Sequence, residues 1–204
     1  LLQLAQAQCD AALTGFEFMS SVSTGLVVEY FPDVARHGAQ MIGGQEGKPG
    51  YPTVLLEISH PESQEAETAM VDRLMEMELE EGVIQDAIVA QSVAQAKALW
   101  HLRETITLSA AEDGPHIKHD IALPISSLVT FIAAMDQEME SAYPGIRLIN
   151  FGHFGDGNLH YNVAPAPALA AGKSKAERHQ IFKEFLQTHE DTIRKMVHDL
   201  VVAM

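Results

Sequence analysis

Cysteine is almost missing: Cys9 is the only one in 204 residues. That excludes an internal disulfide and a multi-thiolate metal site, and it suits a reducing cytoplasm, so a cytoplasmic location is expected. Cations are scarce as well. Thirteen Lys and Arg stand against 28 Asp and Glu, a formal net charge of -15, and the few cations are scattered. Nucleic-acid backbones and anionic membranes are repelled by such a chain, so neither is expected as a partner. No apolar run approaches the ~18 residues of a membrane span, and no signal peptide is expected. The chain opens at Leu1 without an initiator methionine and ends in the apolar run Leu200 to Met204, so a fragment of something longer is expected. What remains is a soluble globular composition. A hydrophobic content of 47% suffices for a core in one large domain, or in two small ones around a shared sheet.

The most informative stretch runs from Ile146 to Val163, I-R-L-I-N-F-G-H-F-G-D-G-N-L-H-Y-N-V. Its first part reads as a strand, and Gly155-Asp156-Gly157 supplies residues that tolerate positive φ, so the second part folds back as a hairpin partner. His153 and His160 are seven apart and would lie on opposite faces of one flat strand. The reversal removes that constraint. Asn158, His160 and Asn162 then line one face, leaving Leu159, Tyr161 and Val163 for the other, and two imidazoles converge with two amides. Neutral imidazole is a common ligand of divalent metals. The plainer alternative is that both histidines are satisfied polar groups at a sheet end. Three glycines packed between and beside them argue for a reason, since glycine weakens a strand.

Upstream, 1–13 reads as a helix and 14–19 as a strand in which Glu17, between Phe16 and Phe18, is expected to point outward. Residues 22–31 read as a helix stopped by Pro32, and the glycine-rich 38–51 as a surface loop. Its G-G-Q-E-G-K lacks the flanking strand and helix of a phosphate loop. A strand is expected over 53–59, then a helix opened by Pro61 and capped by Gly82, with Met70, Leu74 and Met77 inward and Glu65, Asp72 and Glu76 solvated. A further strand is expected over 83–90. Ser92 and Gln95 form a capping box for the next helix.

That helix carries the second constellation. Arg103 and Thr107 are i and i+4 and share a face, with Trp100 one turn earlier. A guanidinium fork suits a carboxylate, and a hydroxyl adds a donor. An ordinary surface arginine paired with a nearby acid is the alternative. Residues 116–124 read as a strand with Ile117, Ile121 and Leu123 buried, and Lys118 and Asp120 on the opposite face. A helix from Ile125 to about Met139 and an amphipathic helix over 175–203 complete the chain, with His179, His189 and His198 as surface or cap residues. The expected class is α+β, an α/β sandwich with helices on one face of a largely antiparallel sheet, whose order accommodates two split β-α-β units.

K-H-D-I-A-L-P (118–124), G-H-F-G-D-G-N-L-H-Y-N (152–162) and R-E-T-I-T (103–107) together resemble the C-terminal domain of FAD-linked oxidases of the vanillyl-alcohol oxidase type. That group includes D-lactate dehydrogenases, the glycolate oxidase flavin subunit and D-2-hydroxyglutarate dehydrogenase; N-L-H-Y-N looks closest to the last. The resemblance spans nearly the whole chain and implies a duplicated ferredoxin-like cap over the flavin. It implies that Arg103, Thr107 and Lys118 hold the carboxylates of a small 2-hydroxy acid and that Asn162 contacts the substrate. It further implies that Asn158 faces the FAD and that His153 and His160 bind a divalent metal, zinc being expected. The reaction implied is oxidation of an (R)-2-hydroxy acid to the 2-oxo acid with hydride transfer to FAD. The metal would polarise the substrate hydroxyl. Two family segments are expected to lie outside this chain: the flavin-binding domain, which would be its main partner, and a Glu-His-Gly segment carrying a third ligand and a base. The fragment alone is therefore expected to be inactive, with weak or no metal binding. A stand-alone ferredoxin-like metal- or small-molecule-binding module is the alternative, as is His153 acting as a general base. The electron acceptor and the oligomeric state, a homodimer included, are left open.

Overall fold

Alternation along the strands decides the architecture. In the computed structural model, which describes residues 1–36, 50–59, 63–80, 82 and 84–204, the strands are β1 (Leu13–Met19), β2 (Thr53–Ile58), β3 (Asp120–Ala122), β4 (Arg147–His153) and β5 (Asn158–Ala164). They form one sheet in the order β2-β1-β4-β5-β3, every neighbouring pair antiparallel. The helices are α1 (Leu2–Cys9), α2 (Ser21–Tyr30), α3 (Pro32–Ala35), α4 (Gln64–Glu80), α5 (Val93–Asp113), α6 (Leu128–Ala142) and α7 (Lys175–Ala203).

Both faces of the sheet are covered. Leu159, Tyr161 and Val163 of β5 and Phe16 of β1 pack with α1, α4, α6 and α7 through Ala5, Leu74, Phe131, Met135, Ile193 and Val197. The alternate residues Ile149, Phe151, Ala164 and Met19 pack with α2, α3 and α5 through Leu26, Val27, Ala35, Leu102 and Ile106. Because successive side chains of a strand point to opposite faces, these two clusters are two helical layers. The expectation of helices on one face is corrected accordingly, while the α+β class and the antiparallel sheet hold. β3, α6, β4, β5 and α7 follow the order of a split β-α-β unit, with β3 beside β5 rather than β4.

Several local expectations change. Residues 84–90 carry no strand, and the segment expected as a strand over 116–124 is reduced to β3, with Ile117 making a single bridge to Val163. α4 is seen from Gln64, and Gly82 beyond it holds φ +69°, the left-handed conformation of a helix stop. Pro61, the side chain of Met77 and the glycine-rich loop before Gly50 lie outside the described residues or side chains. At the start of α5 the Ser92 side chain accepts from Gln95 N, but the Gln95 amide oxygen takes the Gln91 N–H instead of closing the box on Ser92. α7 does open with a full capping box, Ser174 with Glu177.

Two anchors position the hairpin. Ser20 caps α2, and the buried Ser23 hydroxyl donates to the Asn150 carbonyl at 2.9 Å, tying that helix to β4. At the C-terminal end of α5, Asp113 accepts from Tyr30 and pairs with Arg147 and Arg178 at 2.6 and 3.2 Å. That acid holds α2, α5, β4 and α7 around one buried carboxylate.

Candidate active site

The hairpin of β4 and β5 turns as its composition requires. Phe154–Asp156 make one 3-10 turn, and Gly157 then adopts φ +83°. A Cβ there would lie 2.3 Å from the Leu123 carbonyl oxygen, and a Cβ on Gly152 would lie 2.5 Å from that of Asn158. Only glycine allows this close approach. The register sets Phe151 opposite His160 and Ile149 opposite Asn162, so His160 and Asn162 share the face expected for them.

On that face the two imidazoles meet. The rings of His153 and His160 stand 5.9 Å apart, edge to face, and each turns Nδ1 toward a carboxylate. Glu17 Oε1 lies 2.5 Å from His153 Nδ1, and Asp120 Oδ1 lies 3.4 Å from His160 Nδ1. Among the described residues Nε2 has no hydrogen-bond partner on either ring and is the nitrogen left available. A carboxylate behind the far ring nitrogen is the usual support of a metal-binding histidine, so the residues present fit a two-imidazole metal half-site. Among the described residues no group of three His, Cys, Asp or Glu converges to complete one. Burial depresses the His160 pKa below its ordinary value, with Asp120 opposing the shift. The ring is thereby biased to the neutral form that ligates.

Arg103 reaches the same face from α5. It is 6% exposed, and Nε and Nη2 each lie 2.8 Å from Glu17 Oε2. Its guanidinium carbon also stands 4.8 Å above the Phe151 ring, which in turn lies 4.9 Å from the His160 ring. Asn158 donates to Asp120 at 2.7 Å, and its amide oxygen is buried without a partner among the described residues. Asn162 is 5% exposed on the same strand face.

Thr107 and Lys118 are not drawn in. Both are exposed, and among the described residues no hydrogen bond or ion pair of their side chains joins the cluster; Lys118 contributes its carbonyl to Arg194 instead. Glu17 is the opposite case. Expected to face outward, it is 4% exposed at the centre of the site. The second helical layer is the reason: Phe16 and Phe18 face one core, so Glu17 faces the other side of β1, which α5 covers. Its position between two phenylalanines set it on the face opposite theirs but carried no sign that a helix covers that face. A depression of about 390 Å³ along Glu65, Thr68, Ala69 and Asp72 of α4 lies apart from all of these groups.

Residues 2–194 match the model of the C-terminal domain of FAD linked oxidases. The chain belongs to this family. Within the FAD-linked oxidase family it is 36% identical over 164 residues to a D-2-hydroxyglutarate dehydrogenase of Xanthomonas citri pv. viticola, covering 78% of this chain and 34% of that protein. It is 33% identical over 162 residues to a putative mitochondrial D-lactate dehydrogenase of Schizosaccharomyces pombe, covering 74% and 29%. A D-2-hydroxyglutarate dehydrogenase of Stutzerimonas stutzeri is 33% identical over 115 residues, 56% of this chain and 24% of that protein. The chain therefore spans about a third or less of the relatives it matches. No helix among the described residues is long and apolar enough to cross a membrane.

Proposed function

We propose that this chain is the substrate-binding cap of an FAD-dependent dehydrogenase that oxidises a small (R)-2-hydroxy acid, of the 2-hydroxyglutarate or lactate type, to the 2-oxo acid. One observation carries it: two imidazoles with their Nε2 atoms available stand on the same sheet face as a buried arginine. That pairing gives a site for a hydroxyl beside a site for a carboxylate. The family and the D-2-hydroxyglutarate dehydrogenases among the relatives support the same substrate class.

When bound, FAD accepts the hydride, and a divalent metal, zinc by the nitrogen donor set, lowers the pKa of a hydroxyl it touches. His153 and His160 would hold that metal and Asn158 would face the cofactor. The chain itself positions. Arg103 spends its Nε–Nη2 edge on Glu17, which leaves the Nη1 end of the fork to take a substrate carboxylate as a charge-assisted pair. Asn162 supplies an amide beside it, and Thr107 and Lys118, at the open rim, would meet the carboxylate of a longer diacid. Holding hydroxyl and carboxylate at a fixed spacing aligns the Cα hydrogen, an effect that supplies at most on the order of 7–11 kcal/mol of the barrier. The partner is a flavin-binding domain. The compartment fits the cytoplasm through the single buried Cys9, although the yeast relative is named mitochondrial.

The test is dye-coupled oxidation by the full-length flavoprotein across a panel of D- and L-2-hydroxy acids, with metal analysis of the same sample. Turnover of D-2-hydroxyglutarate or D-lactate and one bound metal are expected. A flavin-loaded protein inert to every 2-hydroxy acid overturns the proposal.

A further inference from the structure

The buried acid at the centre of the site has two partners, and their chemistry differs. Glu17 stands directly opposite His153 in the β1–β4 ladder, so the contact of Oε1 with Nδ1 at 2.5 Å is fixed by strand register rather than by side-chain reach. Its other oxygen takes both Nε and Nη2 of Arg103, from a helix 86 residues away in sequence. Both acid and arginine are more than nine-tenths buried. One carboxylate therefore joins the proposed carboxylate anchor to the proposed hydroxyl-binding imidazole pair.

The geometry points to Glu17 as a positioning residue that sets two properties at once: the side-on seating of Arg103 and the Nδ1–H tautomer of His153. The inference rests on the reading of Arg103 and His153 given above. An ionised carboxylate only accepts hydrogen bonds, so the ring nitrogen facing it must carry the proton and Nε2 must carry the lone pair. Arg103, for its part, is held by its side edge and cannot rotate to offer that edge to substrate. Glu17 thus imposes the ring form that can ligate and the guanidinium edge that can recognise a carboxylate, without touching substrate.

Glu17→Gln separates this role from simple packing, because it keeps the volume and loses one acceptor. The remaining amide oxygen must face Arg103, which has only donors. The amide NH2 is then left facing His153 Nδ1, which must become the acceptor, moving the ring proton to Nε2. The readout is 15N NMR of the imidazole rings at about pH 8, where an ordinary imidazole is neutral, with the His153 signals assigned from His153→Gln. The wild-type ring is expected as Nδ1–H and the Glu17→Gln ring as Nε2–H. In the full-length flavoprotein the same variant is expected to weaken zinc affinity about 10–100-fold and to raise KM for the 2-hydroxy acid more than it lowers kcat. Glu17→Asp, which keeps the charge, is expected to restore the Nδ1–H form.

A wild-type ring found as Nε2–H overturns the inference even if Glu17→Gln fails to fold. So does a Glu17→Gln ring that stays Nδ1–H, or a tautomer switch with zinc affinity and KM unchanged. Failure of the underlying reading looks different: wild-type protein shows the Nδ1–H ring yet neither binds zinc nor oxidises a 2-hydroxy acid. That result removes the function assigned to Glu17 along with the site.

Discussion

Glu17 and His153 face each other across the β1–β4 ladder with 2.5 Å between Oε1 and Nδ1. Everything on the functional face is arranged about that contact. Arg103 approaches the acid from α5, His160 approaches His153 from β5, and Asp120 backs His160 from β3.

Removing one partner of a buried pair leaves the other charge stranded. Arg103→Ala is expected to destabilise the protein by about 3–5 kcal/mol, a drop in melting temperature of roughly 10 °C for a chain of this size. Glu17→Leu combined with Arg103→Met is expected to recover much of that loss, since an apolar pair of similar volume strands no charge. Thermal melts of the wild type and the two variants check both statements.

The hairpin turn should be intolerant of side chains. Gly157→Ala places a Cβ at φ +83° and 2.3 Å from the Leu123 carbonyl oxygen. A cost of at least ~2 kcal/mol follows from the left-handed backbone and the clash, or roughly 4–8 °C in melting temperature. Gly172→Ala, also at positive φ but with nothing within 4 Å, is expected to cost less. A melting comparison of the two variants is decisive: equal shifts contradict the close-approach argument.

Three histidines are held below their ordinary pKa of 6.5, in each case chiefly by burial: His116, His119 and His160. A depressed folded-state pKa contributes stability that is fully present above about 6.5 and is lost as pH falls through the folded values. Asp136, raised above 3.8 by burial, works in the opposite sense: its contribution is complete below 3.8 and is lost as pH rises through its folded value. Melting temperature should therefore fall as pH is lowered from about 7.5 to about 5.5, where the histidines titrate. His119→Asn should flatten the slope. A melting temperature that is flat or rises over that interval contradicts the burial account.

Trp100, the only tryptophan, sits one turn before Arg103 and donates from Nε1 to Glu57 Oε2 at 2.6 Å. Its emission should therefore report on ligand at Arg103. Titrating the full-length protein with a 2-hydroxy acid is expected to change its tryptophan fluorescence saturably by a component that Trp100→Phe removes, and Arg103→Met is expected to abolish that component.

Much of this was legible in the residues. Gly155-Asp156-Gly157 dictated the hairpin, and period-two alternation placed His160 and Asn162 on one face. Glu17 was not legible, for a physical reason. A polar residue alternating with phenylalanines signals a solvated face when one face is covered, and a buried charge pair when both are. The sequence pattern of β1 is the same in either case, and the difference lies in α5, some 80 residues later. The segment 84–90 failed for a related reason: a short apolar run reads as a strand until no neighbouring strand offers it a ladder.

The central claim is that His153 and His160, supported by Glu17 and Asp120, form the hydroxyl-binding half of a 2-hydroxy-acid site completed by Arg103. The most direct measurement is kcat/KM for D-2-hydroxyglutarate in the full-length flavoprotein, wild type against His160→Ala, at equal FAD content. A loss of at least ~10³-fold, about 4 kcal/mol of transition-state stabilisation, is expected. A His160→Ala enzyme that keeps wild-type kcat/KM contradicts the account.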